Sequence, residues 1–402
     1  MINIAVLGYG TVGSGVVEVI NKNHESINKR AGQEINIKYV LDLREFPGDP
    51  VQEILVHDYN VILNDPEVKI VVEVMGGINP AFGFVKSALE AGKSVATSNK
   101  ELVAAHGAEL LKIAKENKVN FLFEASVGGG IPIIRPINQS LTADEITEIT
   151  GILNGTTNYI LSKMTAEGSD FDTVLKRAQE KGYAERNPEA DVEGYDACRK
   201  IAILTSLACG KQVDFEDIYT EGITKITDTD IKYAKAMGTV IKLFGTSRWS
   251  DGTIHSMVAP FMITNDHPLY NVKDVFNAIL VHGNMLGDTM FYGKGAGKLP
   301  TASAVVADVV DAAKHQGTNI MTIWEEQKVV LGDMKDFACR FFVRVKDTNT
   351  KADVENVFGK VEYVEAPGVT GELAFVTDSI SEGEFEEKIK SLDLIYRIRT
   401  AL

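Results

Sequence analysis

Over the first 130 residues, short β-branched runs alternate with amphipathic stretches. The runs at 2–7, 36–41, 70–74, 94–96 and 120–124 predict strands, being apolar almost throughout. Between them, apolar positions recur every three or four residues over 82–90 and 101–117, which predicts helices. The second of these carries Lys112, Lys115 and Lys118 around its last turns, where cations suit the helix dipole. Strand–helix alternation with near-continuous apolar strands predicts a doubly wound parallel sheet, an α/β fold.

After Gly128-Gly129-Gly130-Ile131-Pro132 the pattern changes. Strands are expected at 147–153 and at 255–263, the latter with period two, and helices at 175–181, 195–209 and 229–243. An Ala/Val-rich segment at 301–316 has high helix propensity. The tail reads as strands at 340–345, 360–364, 372–377 and 394–399, with helices at 351–358 and 384–392. That βαββαβ order is ferredoxin-like. Three domains are therefore expected: 1–130, with the 301–316 helix available to return to it, an α+β domain at 131–320, and a small one at 336–402.

Charge narrows the function. The 402 residues carry a net charge of −15, the opposite of what phosphate recognition or docking on an anionic membrane needs, so neither nucleic acid nor membrane is an expected partner. Cys198, Cys209 and Cys339 form no CxxC pair, which suggests neither a disulfide framework nor a thiolate zinc site. The apolar start is too short for a signal segment or a bilayer span, and a cytoplasmic location is expected.

The strongest local motif is Gly8-Tyr9-Gly10-Thr11-Val12-Gly13, directly after the first strand and opening the helical pattern 12–20. In this Rossmann-type fingerprint Gly8 permits the tight turn, Gly10 lets a pyrophosphate reach the backbone, and Gly13 allows close helix–strand packing. The N–H groups at Thr11 and Val12 then face the phosphates. The second strand ends Leu41-Asp42-Leu43-Arg44. Asp42 suits a free ribose 2′-OH, whereas Arg44 suits a 2′-phosphate, so NAD and NADP both remain open.

A second constellation precedes the helix at 195–209. Glu185, Glu189, Asp191, Glu193 and Asp196 form an acidic loop that suits an ammonium-bearing ligand. Asp196 and Lys200 are four apart, on the face that continues through Ile203 and Leu207. A solvated salt bridge is the alternative reading. The seven histidines lack ligand spacing, no GxSxG or HExxH occurs, and Cys198 is offset around the helix from Asp196 and Lys200.

The segment 178–200, with Gly182-Tyr183-Ala184-Glu185 and Asp191-Val192-Glu193-Gly194-Tyr195-Asp196 at its centre, closely resembles the signature of homoserine dehydrogenases. Thr97-Ser98-Asn99-Lys100, Asn154-Gly155-Thr156-Thr157 and Gly295-Ala296-Gly297-Lys298 match as well, and the resemblance runs to about residue 320. It implies an NADP- or NAD-dependent enzyme of threonine, methionine and isoleucine biosynthesis that interconverts aspartate 4-semialdehyde and homoserine. By resemblance Lys200 is the catalytic proton donor and acceptor, with Asp196 and Lys100 beside it. Glu185, Asp191, Asp196, Thr156 and Gly182 hold the substrate. Gly76, Lys100 and Gly295 join Gly8, Gly10, Thr11, Val12, Gly13, Asp42 and Arg44 at the cofactor. A monovalent cation, Na+ or K+, falls at Glu124, Val127, Gly129 and Ile131, mostly on backbone carbonyls. A homodimer or higher homo-oligomer follows too. The tail stands where relatives carry an ACT regulatory domain, but its first turn, Val345-Lys346-Asp347-Thr348-Asn349-Thr350, lacks Gly and Pro. ACT-like topology is thus expected, with effector binding and a structural or dimerising role both open. The alternative from another class is a non-catalytic NAD(P)- or amino-acid-responsive regulator.

Overall fold

The apolar run at the N-terminus forms β1 (Ile2–Leu7), with Ile4, Ala5, Val6 and Leu7 fully buried. In the computed structural model, which describes residues 1–401, β1 is central to a six-stranded sheet. Its partners are β2 (Ile35–Leu41), β3 (Leu55–Val56), β4 (Val68–Glu73), β5 (Ser94–Thr97) and β6 (Phe121–Leu122). The order β3-β2-β1-β4-β5-β6 is parallel throughout. Strand order reverses between β1 and β4, and in such sheets ligands bind outside the carboxyl ends of the strands at that switch point.

Helices α1 (Thr11–Lys22), α2 (His24–Ala31), α3 (Tyr59–Leu63), α4 (Ala81–Glu90) and α5 (Lys100–Glu116) connect the strands. The Ala/Val-rich segment forms α11 (Lys298–Lys314), which shares a core with β1 and α1 through Val305, Val306 and Val309. Contact is close because Gly15 has no side chain: a Cβ there would lie 2.9 Å from the Lys298 carbonyl oxygen.

The chain divides into two compact units. Residues 1–145, 202–215 and 291–329 make the first, and residues 146–201, 216–290 and those from 330 onward make the second. The second unit holds β7 (Ile146–Ile152), α6 (Gly155–Glu167), α7 (Phe171–Glu180), α8 (Glu189–Val192) and the start of α9 (Tyr195–Cys209). The rest of α9 and the parallel pair of β8 (Lys211–Gln212) and β14 (Glu325–Lys328) belong to the first.

An eleven-stranded sheet organises the second unit. β9 (Tyr219–Thr220) pairs with β11 (Thr253–Ile263), which follows α10 (Asp228–Ala236) and β10 (Val240–Ser250). β12 (Phe276–Gly283) and β13 (Gly287–Lys294), which belongs to this unit as far as Met290, complete one side, with β13 at the edge. The tail contributes β15 (Ala338–Lys346), α12 (Lys351–Phe358), β16 (Glu362–Val364), β17 (Glu372–Val376), β18 (Ile380–Ser381), α13 (Glu382–Ile389) and β19 (Leu394–Ala401). Segment 336–402, read above as its own domain, is continuous with this sheet because β19 pairs with β11 in parallel. Phe341, Phe375 and Phe385 of the tail share one core with Met257, Phe261 and Leu269.

Two expected elements differ. The helix expected over 229–243 stops at Ala236, because Gly238 turns left-handed (φ +67°) and β10 begins at Val240. The strand expected over 120–124 keeps only Phe121–Leu122 and turns at Glu124. The Glu124 carboxylate accepts hydrogen bonds from the N–H groups of Ile133 (2.6 Å), Ile134 (2.8 Å) and Arg135 (2.9 Å), capping the following helical turn. No helix among the described residues is long and apolar enough to cross a membrane.

Candidate active site

In the first unit, Gly8 leaves β1 with φ +95° and donates its N–H to the Leu41 carbonyl (2.8 Å). Any side chain at Gly13 would strike the turn, since its Cβ would lie 1.9 Å from the Gly8 carbonyl oxygen. Around Gly10, in contrast, nothing lies within 4 Å of where a Cβ would sit. That open flank is what an approaching pyrophosphate needs. α1 carries no acidic residue in its first turn and no side-chain cap, so its first N–H groups remain suited to an anion.

Asp42 stands at the end of β2 next to this turn. Its Oδ2 accepts from the Tyr9 N–H (2.8 Å) and Arg44 Nη2 (2.8 Å), and its Oδ1 from the Arg44 N–H (3.0 Å) and Nε (2.9 Å). Arg44 holds the Asp42 carboxyl well below the usual range against the opposing effect of partial burial. A cavity of about 510 Å³, lined by Gly8, Gly10, Arg44, His57, Tyr59 and Phe84 among others, opens beside the pair. A larger groove of about 700 Å³ between α1, α2 and α11 carries none of the fingerprint.

At the same carboxyl end of the sheet, Glu73 closes β4 in register with Leu7 of β1 and is fully buried. It accepts from the N–H groups of Met75 (2.8 Å) and Gly76 (3.3 Å) and from Thr97 Oγ1 (2.6 Å). Burial pushes its carboxyl above the usual range despite these donors. Asn99 donates to the Gly77 carbonyl (2.6 Å) and caps α5, whose first residue is Lys100. Glu73 was missed in the sequence; the signal was a charge inside the apolar run Val71-Val72-Glu73-Val74. Gly129, with φ +58°, lies so near Gly295 that a Cβ would meet the Gly295 carbonyl oxygen at 2.2 Å. Val127 and Ile131 are buried in the same turn.

In the second unit, Lys200 is only 8% exposed and Asp196 3%. Lys200 Nζ donates to Asp196 Oδ2 and to the Leu153 carbonyl, each at 2.8 Å. A desolvated ion costs several kcal/mol unless paired, so both contacts are required to hold the ammonium there. This removes the solvated salt bridge as an account of the pair. Asn154 was not singled out as a site residue. Its Oδ1 caps α6 at Thr157 (2.9 Å), and its Nδ2 donates to both Asp191 Oδ1 (2.7 Å) and Asp196 Oδ2 (2.9 Å). The Asn-x-x-Thr capping pattern was the available signal.

Thr156 Oγ1 donates to the Tyr183 carbonyl (2.6 Å), tying α6 to the loop that Gly182 opens with φ +73°. Glu185 is exposed on that loop, where its carbonyl accepts from Gln179 Nε2 (3.1 Å). The structure thus brings Asp191, Asp196 and Lys200 together around Asn154. Among the described residues, no group of three or more His, Cys, Asp or Glu side chains is placed to hold a metal.

Two family profiles match the chain: "Homoserine dehydrogenase, NAD binding domain" over residues 8–124 and "Homoserine dehydrogenase" over 132–310. The homoserine dehydrogenase of Bacillus subtilis is 38% identical over 410 residues, covering 98% of this chain and 95% of that protein. A crystal structure of a homoserine dehydrogenase from Thiobacillus denitrificans aligns with TM-score 0.89 at 34% identity, over 99% of this chain and 98% of that one. A hyperthermophilic archaeal homoserine dehydrogenase mutant in complex with NADPH aligns with TM-score 0.66 at 29% identity, over 77% and 97%.

Proposed function

The chain belongs to the homoserine dehydrogenase family, and from that premise we propose which of its residues carry the reaction. The activity is the reversible NAD(P)-dependent reduction of L-aspartate 4-semialdehyde to L-homoserine. The observation that carries the assignment is the buried Lys200 ammonium, fixed by Asp196 Oδ2 and the Leu153 carbonyl.

A nicotinamide cofactor held at the Gly8–Gly13 turn would supply the hydride for reduction and accept it in oxidation. As the aldehyde gains hydride, negative charge builds on its oxygen; the Lys200 ammonium stabilises that charge and delivers a proton. In the oxidative direction neutral Lys200 takes the hydroxyl proton. Asp196 keeps the amine oriented, and Asn154 orients Asp196 and Asp191 together. Asp191, with Glu185, Thr156 and Gly182, forms the proposed seat of the amino-acid end. Lys100, at the start of α5, is proposed to serve beside the nicotinamide, with Gly76 and Gly295 near it.

For cofactor choice we propose NADP(H). Each oxygen of the Asp42 carboxylate already accepts two hydrogen bonds from Tyr9 and Arg44, which leaves a ribose 2′-OH poorly served. Arg44, with 62% of its side chain exposed, suits a 2′-phosphate. The archaeal relative's complex with NADPH agrees. A monovalent cation at Glu124, Val127, Gly129 and Ile131 would rest on backbone carbonyls, since three N–H groups occupy the Glu124 carboxylate. We further propose an ACT-like ancestry for the tail, whose strands run β19-β15-β17-β16. A homodimer through the second unit is proposed as well, supported by edge strand β13 and the exposed Met285, Leu286 and Met290.

The test is turnover of Lys200→Ala with aspartate semialdehyde, followed by NADPH and NADH absorbance in parallel. The expected loss in kcat is on the order of 100-fold to 10,000-fold with cofactor affinity nearly unchanged. Near-normal turnover would overturn the assignment.

A further inference from the structure

An ionic cluster in the second unit, with Arg399 and Glu382 buried and Glu221 and Arg397 half-buried, has no part in the chemistry above. Glu221 follows β9, and four side chains close on its carboxylate. Tyr396 Oη donates to Oε1 (2.9 Å), while Arg397 Nη1 (2.9 Å), Arg399 Nη1 (2.9 Å) and Tyr219 Oη (3.1 Å) donate to Oε2. Glu382 completes the set, in contact with Arg399 Nε and 3.6 Å from Arg397. Three of these partners come from β19, the C-terminal strand. Burial pushes the Glu221 carboxyl up, but Arg397 and Arg399 outweigh it and hold the group at about 2.

The cluster anchors the short segment that follows. Glu221 N–H donates to the Val258 carbonyl (2.7 Å), and Ile223 N–H donates to the Val192 carbonyl (2.8 Å). Between them, Gly222 lies so close to the acidic loop that a Cβ would sit 2.2 Å from the Val192 carbonyl oxygen and 2.5 Å from Glu193 Cα. From the loop side, a Cβ on Gly194 would meet Val258 Cγ1 at 3.0 Å and Thr220 Cγ2 at 3.2 Å. Residues 220–223 are therefore the seat of 192–194, which stand between Asp191 and Asp196.

We propose that Glu221, gripped by Arg397 and Arg399, is a positioning residue for the amino-acid substrate: it fixes the seat under 192–194 and thereby the placement of Asp191 and Asp196. This rests on the reading that those two carboxylates serve the substrate. An ion cluster of this kind is alone weak evidence even for stability. The direct backbone bond from Ile223 to Val192 is what gives this one leverage on the site. A displacement of about 1 Å in a positioning group costs on the order of 100-fold in rate.

Glu221→Gln in the full-length enzyme keeps the shape and removes the charge. It should raise the KM for aspartate semialdehyde about tenfold or more, with the dissociation constant for NADPH within about twofold of the parent. Hydrogen–deuterium exchange should accelerate in 189–196. The milder Arg397→Lys, which retains the charge, should fall between the parent and Glu221→Gln, and it serves alone if the glutamine variant does not fold. Folded variants with unchanged KM would overturn the proposal, whether or not Tm falls, because a mere fold staple moves Tm only. A raised KM with unchanged exchange at 189–196 would overturn it too. If Lys200→Ala and Asp196→Ala themselves turn over normally, the site assignment fails instead, whatever Glu221 does.

Discussion

Asp42 and Arg44, two residues apart at the end of β2, carry opposite signals for the cofactor. An acidic residue at the end of the second strand ordinarily favours NAD, yet here its oxygens already accept from Tyr9 and Arg44. Arg44→Ala should therefore raise the KM for NADPH by roughly tenfold to 100-fold, the worth of a charge-assisted contact, and improve NADH use by releasing Asp42. Parallel steady-state assays read this; an unchanged preference would remove Arg44 from the cofactor site. Lys242 offers a test by pH. It is buried beside Asn158 and Val272, and burial, with the charge of Lys273 outweighing that of Asp274, lowers its ammonium from 10.5 to about 8. The folded state thus gives up this proton before the unfolded state does. Stability should rise with pH between about 8 and 10.5, by up to ~3 kcal/mol, and the penalty is fully present below that window. Tm of the parent minus that of Lys242→Met, measured at neutral pH and near pH 9.5, should increase; a flat difference would contradict it. At this scale the sequence exposed Asp196 and Lys200, because their i,i+4 spacing needs only a helix. It hid Asn154 as a bridge, because that role depends on positions 154, 191 and 196 meeting in space.

The β1–α1 turn separates two jobs that glycine does within one motif. Gly13→Ala forces a Cβ to 1.9 Å from the Gly8 carbonyl oxygen, so it should lower Tm as well as cofactor affinity. Gly10→Ala has room, and φ −82° suits alanine. It should leave Tm nearly unchanged while weakening NADPH binding by about tenfold, because the methyl occupies the pyrophosphate's approach. Fluorescence titration with NADPH and thermal unfolding distinguish the two; equal Tm losses would refute this division of labour. Elements with an uninterrupted period were legible: β1, α9 and α12 begin and end where the pattern places them. The expected helix over 229–243 failed because its apolar spacing runs on past Gly238, where the backbone reverses into β10. α2 escaped notice because its eight residues, 24–31, are mostly polar and bury only Ile27 and Ala31.

For the whole molecule, the tail is the part whose role the sequence represented least well. Its strand pattern was readable, but pairing of β19 with β11 links residues more than a hundred apart, which no local signal reveals. Ending the chain before Phe337 removes Phe341, Phe375 and Phe385 from the core they share with Phe261 and Leu269. Such a truncation should aggregate or unfold well below the parent's Tm, since exposing several core aromatics costs about 3 kcal/mol or more each. A monomeric, active, equally stable truncation would show that the tail is dispensable. The alternation of segments has a consequence for how this protein can be altered. Each unit is made from three stretches taken in turn, so the chain passes from one to the other five times. No single cut yields two halves that each hold a whole unit. Gene splitting or exchange of one unit with a relative would therefore require several junctions at once.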